Sequence, residues 1–407
     1  MRILFLNLYF PPDTSATAKS ADAIVRTLAA SHELTVLCGR PSYDPTERRP
    51  WKLWQTERCA TNSSATFTVI RVGSTDYPRL RMRRRILNYL TYTKLAFLRG
   101  LFFPCDAIFS MTDPPFEGIV AALLATLKRK PLLYDIQDLY PDMAIAGSIV
   151  QPGLLSRIWE RLHRWTLHRA NRIIVLGEDM RARLIEKGID ASKIHIVRSG
   201  IDLPPTSGTA QSLNPAVIEK IRGNSKFVLL HAGNLGFYGA WDTLIAAVRQ
   251  LERENIALVF VGDGAARARL ESLAKGAANI RFLPFFPSCE IPSVLAAPDA
   301  HIITIKRGLE GVVVPSKLFG ILAAAKPIVA VVPPATDVAT LGAQQNFALS
   351  ADPDDPQAVA AAVRSLAADP TRLAAMSQAA RAAATHYSRP AELATLTAIV
   401  SSLQSPG

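Results

Sequence analysis

The chain has 407 residues, 49% hydrophobic and only 20% charged, which suits two or three domains that each bury a core. That composition excludes a disordered chain, a coiled coil and a disulfide-stapled scaffold. Net charge is +12, and it is lopsided: residues 1–200 carry 29 Lys and Arg against 18 Asp and Glu, whereas residues 201–407 carry 17 against 16. The basic half is expected to meet something anionic, whether membrane, nucleic acid or phosphorylated substrate. Cys38, Cys59, Cys105 and Cys289 are scattered, with no C-x-x-C pair, and read as reduced packing thiols of a cytosolic protein. The opening residues lack the basic region and cleavage site of a signal peptide. No uncharged apolar run reaches the ~18–20 residues that span a bilayer, so a cytoplasmic, at most peripheral, protein is expected.

In chain order, strand-like runs fall at Arg2–Asn7, Leu34–Gly39, Thr66–Gly73, Asp106–Ser110, Leu132–Ile136, Arg172–Gly177 and Ile194–Ser199. Helical periodicity lies between them, as at Ala18–Ala30 and Phe116–Leu127, and the near-continuous apolar runs suit a parallel sheet covered on both faces. A polar stretch at Thr206–Asn214 interrupts the pattern, which restarts with strands at Phe227–His231, Ala257–Gly262, Asn279–Leu283, Ala300–Thr304 and Pro327–Val332. The fold class is therefore α/β, two Rossmann-like doubly wound domains facing a central cleft, with ligands at the carboxyl ends of the strands. The domains are placed at 1–203 and 204–385, followed by a C-terminal helix at 386–407 for which packing back on the first domain is one option.

Candidate chemistry follows the strand ends. The loop containing Pro12, Asp13, Thr14 and Ser15 could shape an acceptor pocket or merely cap the next helix, and it lacks G-x-G-x-x-G. Asp138 and Asp142 follow the strand ending at Ile136. Either could act as a base or orient a hydroxyl, or simply cap a helix, and Asp138 is preferred because it lies nearer the strand. In the second half, Gly233-Asn234-Leu235-Gly236 and Gly262-Asp263-Gly264 close successive strands, where glycines admit a phosphate or make tight turns. The segment from Lys306 to Gly320 places Arg307, Glu310, Gly311 and Val312 before Pro315-Ser316-Lys317-Leu318. Pro in the first turn and a Ser cap would start a helix there, with Lys317 and Arg307 beside a diphosphate or simply solvated.

Arg79–Arg85 holds five arginines in seven residues, ahead of Ile86-Leu87, Leu90, Phe97-Leu98 and Leu101-Phe102 at helical spacing. Arg79, Arg81, Arg83, Arg84 and Arg85 read as the basic head of an interfacial helix, with a core helix under a solvated cap as the alternative. A second basic segment, Arg157–Arg172 with His163 and His168, could widen the patch. No metal ligand set is apparent, and no nucleic-acid module appears, so no nucleic-acid partner is expected. Asn62-Ser63-Ser64 matches a glycosylation acceptor, irrelevant in the cytosol.

Together with the Tyr9-Phe10-Pro11-Pro12 opening, Asp138-Leu139-Tyr140-Pro141-Asp142, Ser199-Gly200-Ile201-Asp202, the two glycine loops and Val314-Pro315-Ser316-Lys317-Leu318-Phe319-Gly320, the sequence resembles the GT-B-fold glycosyltransferases of family 4, in the bacterial polysaccharide-assembly branch. The resemblance implies a retaining, metal-independent hexosyltransferase without a cofactor. Its donor would be a nucleotide sugar, UDP-linked ahead of GDP-linked, held by the second domain, and its acceptor a lipid-linked saccharide held by the first. It places the enzyme on the inner face of the plasma membrane, against an anionic surface. It gives Glu310 contact with the sugar and Lys317 the leaving diphosphate, which join Asp138, preferred from its place beyond the strand, as the expected catalytic residues, and it places the base near Leu283 and Phe285. Asn234 and Gly239 stand where many relatives carry Arg and Lys, and Gly320 where they carry a second glutamate, so neutralising charge falls to Lys317 and Arg307. A GT-B-like epimerase or phosphorylase on a soluble substrate is the alternative.

Overall fold

The computed structural model describes residues 1–43, 50–61, 64–78, 82–147, 149–201 and 213–403, without the side chains of 82 and 83. Arg79, Arg81, the side chain of Arg83, the expected boundary at 203/204, and Asn62 and Ser63 of the tripeptide lie outside the described residues. The chain divides into two compact units. One comprises Met1–Gly177, Arg181–Arg198 and the residues from Leu393 onward; the other comprises Glu178–Met180 and Ser199–Glu392.

The first unit runs β1 (Arg2–Leu6), α1 (Ala16–Leu28), β2 (Glu33–Cys38), β3 (Trp54–Ala60), β4 (Thr66–Val72), α2 (Met82–Phe102), β5 (Ala107–Met111), α3 (Glu117–Lys128), β6 (Leu132–Asp135), α4 (Asp142–Ala146), α5 (Leu154–Arg169), β7 (Arg172–Val175), α6 (Glu178–Glu186) and β8 (Ile194–Ile196). Its sheet has the order β3-β4-β2-β1-β5-β6-β7-β8. β1 is central and pairs in parallel with β2 (Leu4 opposite Thr35) and β5 (Leu4 opposite Ile108). β1 and β5 are buried along almost their whole length, as strands covered on both faces must be. α3 packs between α2 and α5. Ile24, Val25 and Leu28 of α1 share a core cluster with Phe5, Val36 and Phe109.

One strand departs from the parallel sheet expected. β3 pairs antiparallel with β4 at the sheet edge, where alternating exposed and half-buried residues (Trp-Gln-Thr-Glu-Arg-Cys-Ala) present no apolar run. A short connection suffices because antiparallel neighbours need no crossover helix.

The second unit runs α7 (Pro215–Arg222), β9 (Phe227–Ala232), α8 (Trp241–Arg249), β10 (Ile256–Val261), α9 (Arg267–Leu273), β11 (Ile280–Leu283), α10 (Ile291–Ala296), β12 (Ala300–Thr304), α11 (Lys317–Ala323), β13 (Ile328–Val331), α12 (Asp337–Gln345), β14 (Ala348–Ala351), α13 (Pro356–Ala367) and α14 (Pro370–His386). All pairings in its sheet, β11-β10-β9-β12-β13-β14, are parallel. Order reverses at β9, the topological switch point where such sheets open a ligand crevice. Trp241, Leu244 and Val248 of α8 pack with Leu258 and Phe260 to fill one face, while Val217 and Ile221 of α7 meet Val228 and Val259 on the other. The last helix, α15 (Arg389–Ser401), sends Leu396 and Val400 into the core of the first unit, beside α1.

Candidate functional site

In the second unit the loops after β9 and β10 lock against each other. Gly233 and Leu235 donate their amides to Val261 and Asp263, and Gly262 donates to Leu283. At Gly262 (φ +144°) a Cβ would fall 2.0 Å from the carbonyl oxygen of Gly233, so only glycine allows this approach. Much of the glycine content thus serves loop-to-loop packing in place of the open amide cradle that the motif suggested. The Tyr238 hydroxyl donates to the Asn234 carbonyl and Trp241 Nε1 to that of Gly236 at 2.6 Å, clamping the first loop from beneath. Asp263 is exposed and accepts from the amide of Gly264.

Lys317 is the first residue of α11, and its ammonium reaches back to the end of β9. Nζ lies 3.0 Å from Nε2 of the buried His231 and 6.0 Å from the centre of the Tyr238 ring. A Cβ at Gly233 would come within 3.5 Å of the same nitrogen. An ammonium can only donate, so the imidazole accepts through Nε2 when Lys317 is charged. Burial pulls the Lys317 amine down to about 7, and the same burial, with Lys317 nearby, holds His231 far below its usual value and therefore neutral. Among the described residues no carboxylate forms an ion pair with Lys317.

Other expectations around this site change. Ser316 makes no side-chain cap, and the helix begins after it at Lys317. Arg307 does not stand open to a diphosphate: it is paired with Asp352 at 2.8 Å and Asp354 at 2.6 Å, so its charge is already matched. Leu235, Val312 and Leu318 turn their side chains into the core, and only their main chain could meet a ligand. Glu310 is half-buried, and Gly311 packs on the backbone of Asp179. Leu283 is partly buried at the end of β11, and the Phe285 ring beyond it is exposed, as a surface for stacking would be.

In the first unit the loops after β1, β5 and β6 converge because those strands are neighbours. The amide of Leu8 donates to the carbonyl of Asp113 at 2.8 Å, and the Thr112 hydroxyl accepts from the amide of Gln137 at 3.1 Å. This brings Asp138 close to Asp113, a residue that no motif in the sequence marks. Burial and the neighbouring Asp113 push the Asp138 carboxyl up to about 7. Asp113 is also raised by burial, against the opposing effects of the Thr17 hydroxyl and Arg85.

Arg85 is the second unexpected member. Expected on a membrane face, its guanidinium instead turns inward, 3.0 Å from the Tyr9 hydroxyl and 2.7 Å from that of Tyr89. Arg84 stacks on Tyr77. Asp13, expected in an acceptor pocket, accepts from the amides of Ser42 and Tyr43 at 3.0 and 2.8 Å and pins a loop. Ser15 caps α1 by accepting from Ala18 at 3.1 Å, while Thr14 is exposed and Pro12 half-buried at the loop surface. Asp142 is no open acceptor ligand either. Burial alone would raise it, but Lys187 and Arg183, each at 2.9 Å, hold it below its usual value.

No group of three or more His, Cys, Asp or Glu able to hold a metal occurs among the described residues, and no helix among them is long and apolar enough to cross a membrane.

Comparison with known proteins agrees with this arrangement. Residues 15–200 match the family model of the glycosyl transferase 4-like domain, and residues 226–369 that of the glycosyl transferases group 1. The chain is 25% identical to WcaI of Escherichia coli K12, named for colanic acid biosynthesis, over 89% of this chain and 91% of WcaI. It is 26% identical to the glycosyltransferase WbjE of Pseudomonas aeruginosa, over 63% of this chain and 64% of WbjE. Among solved structures, Anabaena HepE in complex with UDP superposes with a TM-score of 0.68 at 17% identity, covering 99% of this chain and 100% of HepE. WaaG, a lipopolysaccharide-biosynthesis glycosyltransferase, gives 0.62 at 15% identity, covering 98% and 99%. With both halves matched in order and two parallel α/β units beneath them, the chain belongs to the GT-B glycosyltransferases, with a family-4-like first domain and a group-1 second domain.

Proposed function

We propose that the protein is a retaining hexosyltransferase that moves a sugar from a nucleoside diphosphate sugar, UDP-linked ahead of GDP-linked, to a lipid-linked or other saccharide acceptor in cell-surface polysaccharide assembly. Its place would be the cytoplasmic side of an anionic membrane. The observation that carries this reading is the Lys317 amine, held against His231 and the Gly233 loop with no carboxylate paired to it among the described residues. A leaving diphosphate gains negative charge as the glycosidic bond breaks, and a preorganised ammonium stabilises that charge without reorganising. Lys317 then neutralises the diphosphate, Glu310 contacts the transferred sugar, and the Phe285 ring is available to the base. Asp138, with Asp113 beside it, orients the acceptor hydroxyl. Attack from the face of departure, with the leaving phosphate taking the proton, preserves the anomeric configuration and requires no protein nucleophile.

The HepE complexes contain UDP, UDP with glucose, and UDP-glucose, which favours the uridine donor. The names of WcaI and WaaG favour a surface-polysaccharide acceptor. WcaI and WbjE both carry transferase names, so nothing favours a soluble epimerase or phosphorylase.

The test is transfer of labelled sugar from UDP-sugars to a lipid-extractable product, repeated with a metal chelator. Lys317→Ala should weaken UDP binding by about tenfold to a hundredfold, as loss of a charge-assisted contact does. Undiminished UDP affinity and turnover in folded Lys317→Ala protein would remove the central support.

A further inference from the structure

The first unit carries an apolar surface that neither its core nor the candidate site uses. On α5, Leu155, Ile158, Leu162 and Trp165 repeat at spacings of three and four, the pattern of a buried helix face, yet all four are exposed, Leu155 by 79%. On α3, Leu123 and Leu127 lie one turn apart and are exposed as well. On α2, Leu90, Leu98 and Phe102 continue the series, Phe102 at 78%. Because α3 packs between α2 and α5, the three outer faces belong to one helical layer. Soluble monomers rarely leave so much apolar surface contiguous.

Charge on the layer has one sign. Exposed Arg157, Arg161 and Arg164 alternate with the leucines of α5, and Lys94 interrupts the apolar row of α2. Against them α2 has no acidic residue. The acids of α3 and α5 are Glu117, fully buried, and Glu160, which is paired with Lys187 at 2.8 Å and more loosely with Arg164 at 3.9 Å, leaving Arg157 and Arg161 without an acid on their own helix. A second copy of this chain would bring like charges together on such a face, whereas an anionic lipid surface complements it and accepts the apolar side chains between the headgroups.

We infer that the α2-α3-α5 layer is the surface that seats the protein on anionic phospholipid, with α5 as its principal element in place of the Arg79–Arg85 cluster. This deepens the reading of a lipid-linked acceptor but does not depend on the donor chemistry. Long apolar side chains enter the interface, and the arginines between them sit at the level of the phosphates.

The test uses the full chain and flotation with phosphatidylcholine vesicles, with and without phosphatidylglycerol, at low and high salt. The wild type should float with the anionic vesicles, and less so at high salt. Leu155→Asp/Ile158→Asp and, separately, Arg157→Glu/Arg161→Glu/Arg164→Glu should each lower partitioning about tenfold or more. Their melting temperatures and UDP affinity should match the wild type, since these side chains face solvent. Failure of the wild type to bind anionic vesicles, or unchanged binding by both variants, overturns the inference. So does a wild-type dimer that the Leu155→Asp/Ile158→Asp variant converts to a monomer, because the face would then belong to a second copy. Intact vesicle binding together with absent sugar transfer would instead count against the proposed reaction alone.

Discussion

Lys317 and Asp138 are two ordinary residue types displaced in opposite directions by burial, one toward the free amine and the other toward the neutral acid, and both come to about 7. His231, His301 and Tyr238 surround the amine, and none of them carries negative charge near neutrality. For Lys317 the folded value lies below the unfolded one, near 10.4, so between pH ~7 and ~10 the unfolded chain binds more protons. Its penalty on the empty protein is therefore absent above that window and grows as pH falls through it. A bound diphosphate favours the charged amine, so UDP affinity should decline above about pH 7 and binding should take up a proton. Calorimetry in two buffers of different ionisation enthalpy reads both, and Lys317→Ala should flatten the dependence. Asp138 behaves conversely: a raised carboxyl costs stability once pH exceeds its unfolded value near 3.9 and fully so above the folded one. Asp138→Asn should raise the melting temperature at pH 8. It should lower turnover by at least about tenfold with UDP affinity retained, and abolish the rising limb of the pH–rate profile.

Among the elements, the paired glycine loops after β9 and β10 make the sharpest mutational prediction. Gly262→Ala must displace the Gly233 carbonyl and also hold an unfavourable φ, so it should cost about 2–4 kcal/mol in denaturant unfolding and weaken UDP binding with it. Gly276→Ala, at φ +84° but with nothing within 4 Å, should cost only about 1 kcal/mol. The difference separates close approach from backbone preference. Strands were legible where burial on both faces leaves an unbroken apolar run, as in β1, β9 and β12. β3 escaped notice because an edge strand with alternating polar residues has no such run, and β14 because four residues, Ala-Leu-Ser-Ala, carry little pattern. Site residues followed the same logic. Lys317 stood out at a marked helix start, but its partner His231 sits inside a hydrophobic strand 86 positions away, where no local signal marks it. Asp113 joins Asp138 only because the sheet order makes β5 and β6 neighbours, and Arg85 reaches Asp113 and Tyr9 from α2, a helix distant from that loop in sequence.

At the scale of the whole molecule, each unit has its own sheet and core, but the chain does not pass from one to the other only once. It leaves the first unit for Glu178–Met180, returns, leaves again at Ser199, and comes back at Leu393 within α15. Leu396 and Val400 are almost fully buried there, among side chains that include Ile24 and Val25. Leu396→Ala should destabilise by about 2–4 kcal/mol, read as a lower unfolding midpoint in denaturant. Stopping translation after Glu392 should expose that apolar patch and lower solubility. A polypeptide ending near residue 200 would lack its own closing helix, so cutting the gene at one point cannot yield an intact first half. Residues from Leu393 onward complete what the earliest stretch began, and the first unit must wait for them to be made before its packing is whole.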